Sequence, residues 1–199
     1  MTLSRLAAGL VVWLGLQGAA AAISVETVNL QRMVVMADRV FYGRCLAAVE
    51  EMDSTVGLPV MRYRFQVLEG LKGVAAGDVV EFRQLSGSSR QMAIPGMPGF
   101  RKGQVVLVFL HPDSRLGLTS PVGLMQGIFR PEELEDGRVH FRNSLDNRNL
   151  EVGLDYRTPE AAALRVQDRA VLRGDEPLTL EILRRVVPIF DSFARREVQ

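Results

Sequence analysis

The residues able to do chemistry are few, and their spacing does not bring them together. Two histidines, His111 and His140, and one cysteine, Cys45, are all the imidazole and thiol in 199 residues. No H-x-x-x-H or C-x-x-C spacing joins them, so the chain carries no zinc-site pattern. His111 stands before Pro112 in a turn, and His140 falls in a hairpin strand. No serine sits in a nucleophile elbow, and no glycine-rich phosphate loop follows a strand. The carboxylate pairs Glu50/Glu51 and Glu132/Glu133 lie in polar connections, where solvated surface is the default. A carboxylate hydrolase needs no motif, so that class stays open. These residues give no catalytic group, no metal ligand and no cofactor. The reading taken is therefore non-catalytic. Its alternative is a small-ligand-binding protein or hydrolase that uses the mouth of a barrel.

Charge narrows the partners. Lysine and arginine number 24 against 23 acidic residues, a net charge of +1. That balance asks for no nucleic acid and no anionic membrane surface. A single cysteine excludes an intramolecular disulfide framework, and Cys45 is expected to be a buried core residue.

The N-terminus reads as a signal peptide over residues 1–22. Arg5 is a short positive region, Leu6 to Leu16 is apolar, and Ala20-Ala21-Ala22 fits an A-x-A cleavage site. The apolar run is short of the roughly 20 residues that a membrane span needs. Cleavage after Ala22 leaves Ile23 as the first mature residue. The expectation is a periplasmic or secreted protein with no stable membrane anchor.

The elements that must position any site are mostly strands. Leu30, Met33, Val34 and Ala37 make one apolar helical face after Asn29, a cap residue, and predict a short helix at about 30–37. From Val40 the period becomes two. Phe41, Gly43, Cys45, Ala47 and Val49 share one face; Tyr42, Arg44, Leu46 and Ala48 share the other, which Arg44 marks as wetter. Residues 50–57 read as a polar connection. Met61, Tyr63, Phe65 and Val67 then alternate with Arg62, Arg64 and Gln66, a solvated row. Further strands are expected at 79–83, at 104–110 with both faces buried, at 116–120, and at 127–130 with Pro131 ending it. Asp136-Gly137 signals a hairpin into 139–141. Thr158-Pro159 starts helix, weak over 161–172 and stronger from Thr179 to about Arg195, where Pro188 should kink it. The domains expected are a strand-rich domain over 23–150 and a helical extension over 151–199.

The connection from Leu85 to Gly103 holds Pro95, Pro98 and several glycines, so it is not regular structure. It also holds Met92, Ile94, Met97 and Phe100. Two readings fit an apolar loop of this length: a contact surface for a partner, or a lid on one end of the core.

Helix, ADRVFYGRC, MRYRFQVLEGLKG, VVEFRQ and QVVLVFL, taken in order, resemble the N-terminal domain of the tissue inhibitors of metalloproteinases. The likeness runs through Ala37-Asp38, Tyr63/Phe65, Leu71-Lys72-Gly73 and Glu81-Phe82 to Gly127-Ile128-Phe129-Arg130-Pro131. The chain is also similar to uncharacterised exported bacterial proteins with an ADxVVxGxV…LKG pattern. The resemblance implies a netrin-like OB-fold: mainly β, a closed barrel of five to six strands with a short N-terminal helix and a helical C-terminal tail. It implies a secreted zinc metalloprotease, or another exported protein, as partner. In that family the terminal amine and first carbonyl chelate the protease zinc, and a small hydroxyl residue in second place enters the specificity pocket. Ile23 and Ser24 would hold those places, with Val25 following, and the loop residues Met92, Ile94, Met97 and Phe100 would add contact. The family begins with a disulfide-bonded cysteine; this chain has Ile23 there.

Overall fold

The computed structural model describes residues 26–86 and 96–194. Helix α1 spans Leu30–Met36, and the Asn29 side chain accepts a hydrogen bond from the Arg32 N–H. That bond satisfies one of the donors every helix start leaves free. Leu30, Met33 and Val34 are buried, as the spacing predicts.

Two long strands follow, β1 (Arg39–Asp53) and β2 (Leu58–Lys72), paired antiparallel. The supposed connection at 50–57 is therefore half ladder, to Asp53, and half a tight turn at 54–57. Asp53 makes that turn: its carboxylate accepts the Thr55 and Val56 N–H groups, and its other oxygen pairs with Arg83. Polar composition concealed strand there because the distal hairpin is solvated.

Strands β3 (Val79–Leu85), β4 (Val105–Leu110), β5 (Ile128–Glu133) and β6 (Val139–Arg142) complete one sheet in the order β3-β2-β1-β4-β5-β6. The sheet is open, so the closed barrel is not what the chain forms. Its edges, β3 and β6, do not pair. Between β3 and β4 the described residues supply single bridges, Arg83 with Leu118 and Leu110 with Pro121. The segment expected as a strand at 116–120 is this stitch. Its backbone bonds alternate between the two sides: Thr119 N–H to Arg83 O, then Val122 N–H to Phe109 O. A segment that crosses from one strand to another in four residues cannot run a ladder with either. Pro131 does not end β5, which runs on to Glu133 beside β6.

The sheet buries both faces. On one side Phe41, Cys45, Tyr63, Phe65, Phe82, Phe100, Val106 and Val108 pack together. On the other, Val40, Leu107, Phe109, Phe129 and Phe141 meet α1 and the late helices. β4 feeds both cores, which is why its sequence is continuously apolar. The face of β1 marked as wetter is correspondingly covered near its start: Tyr42 stacks edge-on to Phe141 at 5.2 Å. At Arg44 it is exposed.

A bulge corrects the reading of β1 further along. Cys45 pairs with Phe65 and Ala47 with Arg64, so Leu46 is an extra residue. One extra residue inverts every later side chain. Ala48 thus packs on the inner core, and Val49 is 52% exposed.

After Leu150 come α2 (Pro159–Ala162), α3 (Val166–Arg173) and α4 (Leu180–Ala194). The weak helix at 161–172 is two short ones. Helix α4 lays Leu183, Val187 and Phe190 into the same core as α1 and continues unbroken through Pro188, whose ring is exposed. No described helix is long and apolar enough to cross a membrane.

Candidate functional site

The groups that could do chemistry stay apart. Cys45 is buried, its thiol donates to the Ala47 carbonyl at 3.3 Å, and burial pushes its pKa up. A thiol held protonated is a poor nucleophile. His140 lies beside Asn147, 3.3 Å from ring Nε2 to the amide nitrogen, and burial lowers its pKa. The His111 carbonyl accepts from Thr119 Oγ1, a turn bond. Glu50 accepts from Ser86 Oγ, and Glu51 pairs with Arg62. Among the described residues no three His, Cys, Asp or Glu side chains stand close enough to hold a metal ion.

A different assembly does come together, around the 3₁₀ turn Leu124–Gly127. Gly123 and Leu124 take left-handed backbone angles, φ 61° and 57°. Gly127 has no room for a Cβ, which would stand 2.3 Å from the Val122 carbonyl. This geometry aims Gln126 back at the N-terminal segment. Its Oε1 accepts the Val28 N–H at 2.9 Å, and its Nε2 donates to the Glu26 carbonyl at 3.0 Å. The side-chain amide thus imitates a neighbouring strand. Asn149 Nδ2 donates to the Val28 carbonyl, and Asn143 Nδ2 donates to both Asn149 Oδ1 and the Gln126 carbonyl. Asn143, Asn149 and Gln126 are all buried, so each bond is made away from competing water.

The same turn also comes near the long connection after β3. Leu124 Cδ1 lies 3.6 Å from where a Cβ on Gly96 would stand. Met97, Leu124 and Met125 are all half-buried. One turn therefore binds the N-terminal segment at Glu26–Val28 and lies near the connection at Gly96, about seventy positions away.

The residues proposed from sequence divide as follows. Ile23, Ser24, Val25, Met92 and Ile94 lie outside the described residues. Met97 is half-buried and lines a groove with Met61, Tyr63, Gln84 and Arg101. Phe100 is 4% exposed, with its ring edge-on to Tyr63, Phe65 and Phe82 at 5.0–6.0 Å. Phe100 therefore lids the core. Gln126, Asn149 and Leu124 were not singled out in the sequence, because an isolated Gln or a turn-rich Asn run has no periodicity to mark it.

Comparison with protein-family models, with curated proteins and with solved structures returns no match.

Proposed function

We propose that this is an exported, non-catalytic interaction protein that engages a secreted protein through a ridge: its mature N-terminus, the turn Leu124–Gly127 and the segment from Gly96. One observation carries the reading. Gln126 holds Glu26 and Val28 on the turn whose Leu124 lies near Gly96. A cleaved terminus at Ile23 would then begin three residues before a fixed backbone.

The partner class is a zinc metalloprotease. The terminal amine and the Ile23 carbonyl would supply the zinc contact, and Ser24 would enter the specificity pocket. The inhibitors that the sequence resembles hold their terminus with a disulfide. Here the Gln126–Asn149 clamp supports the same end, because backbone already ordered loses less entropy on binding.

The test is to sequence the mature N-terminus of the exported protein and assay that material against zinc metalloproteases of the same secretome. The expected result is a terminus at Ile23 and stoichiometric inhibition of at least one protease. Absence of inhibition across the panel overturns the partner class. A protein that retains residues 1–22 overturns the ridge.

A further inference from the structure

We propose a second binding site, adjoining the ridge at Met97: the groove between β2, β3 and the Met97–Arg101 segment takes the C-terminal end of a short apolar peptide. The groove has a volume of about 400 Å³ and is lined by Met61, Tyr63, Gln84, Met97, Phe100 and Arg101, among others. Ligand sites generally fall at about 300–1,000 Å³, with apolar walls and a few placed polar groups.

Three polar groups define the occupant. Gln84 is 1% exposed; its Nε2 donates to the Pro98 carbonyl, and its Oε1 has no hydrogen-bond partner among the described residues. A buried acceptor left unmade is costly, so natural proteins rarely keep one without a use. Tyr63 is equally buried. Its hydroxyl accepts a long bond from the Phe100 N–H, 3.5 Å, and its own proton finds no acceptor among the described residues. The groove therefore offers one free acceptor and one free donor, the complement of a peptide group's N–H and C=O. At the rim, Arg101 is exposed and its guanidinium pairs with no described carboxylate. A guanidinium there suits a terminal carboxylate. Met61, Met97 and the aromatic rings supply the wall for apolar side chains, and methionine adapts to varied shapes.

The probe is leucyl-phenylalanine, with its C-terminal amide as control. Methyl spectra of protein labelled at methionine report the groove through Met61 and Met97. The expected result is saturable shifts of those two methyls. Amidation of the peptide and Arg101→Gln, on the exposed rim, should each weaken binding by about tenfold through loss of a charged hydrogen bond. Gln84→Met should weaken it further, with Arg101→Gln as the variant that leaves the Pro98 tie intact. No saturable shift at millimolar peptide overturns the proposal. So do shifts indifferent to both amidation and Arg101→Gln. Neither result bears on the N-terminal ridge, which the protease assay tests.

Discussion

Gln126 brackets Val28: its carbonyl oxygen takes the Val28 N–H at 2.9 Å, and its amide nitrogen reaches the Glu26 carbonyl at 3.0 Å. The Val28 bond is buried, so its loss leaves a buried backbone donor without water. Gln126→Ala should cost about 2 kcal/mol, in the range for orphaned buried groups. Urea unfolding gives that figure. Hydrogen exchange should show the Val28 amide opening faster while the β1–β2 ladder keeps its protection.

Phe100 closes one end of the inner core. Its ring meets three others, and surrounding strands cannot collapse to fill the space it would leave. Phe100→Ala should cost about 3–5 kcal/mol. Phe100→Leu, which keeps most of the volume, should cost clearly less by the same unfolding measurement.

Asp168 is fully buried in α3, and Arg185 of α4 donates to its Oδ1 from Nε at 3.0 Å and from Nη2 at 2.5 Å. The Arg165 N–H donates to its Oδ2. Arg185→Met strands a buried charge and should destabilise by about 3 kcal/mol. The pair Asp168→Asn with Arg185→Met should recover part of that loss. A double-mutant cycle separates the coupling from the capping bond.

His140 sets a pH dependence. Burial, then the charge of Arg142, lowers its pKa below 6.5, with Glu132 opposing. The unfolded chain therefore binds the proton more readily than the folded one between the folded pKa and 6.5. Stability from this residue is complete above 6.5 and falls as pH drops below it. His140→Gln should flatten that limb of the stability profile. The Asp53 carboxylate is lowered by the Val56 and Thr55 N–H groups and by Arg83. Its contribution is held above the usual carboxylate range and is lost at lower pH, as Asp53 becomes protonated.

The strands and α1 were legible because their periods are clean: Tyr63, Phe65 and Val67 alternate as written, and Asn29 caps as its type suggests. The extent of β1 was not, because its solvated distal hairpin is polar in composition; nor was its facing, because a one-residue bulge at Leu46 leaves no composition signal yet inverts Ala48 and Val49. Closure was also misread. The closed barrel is what the resemblance implies; instead the crossing at Leu118–Val122 stitches β3 to β4 by single bridges, which no propensity encodes. Of the candidate site, the loop's apolar character was visible, while the division of labour was not. Phe100 goes to the core and Met97 to the groove, according to which rings lie beneath them. Gln126 and Gln84 act through hydrogen bonds to residues far away in sequence, and a single chain read in order does not show such pairs.

The ridge stands or falls on the terminus. Affinity for an inhibited metalloprotease should be compared for protein beginning at Ile23, the same protein with one alanine added in front, and Gln126→Ala beginning at Ile23. The extension should abolish binding by moving the amine off the zinc, and Gln126→Ala should weaken it by about tenfold through added ordering entropy. Equal affinity for all three proteins would contradict the account.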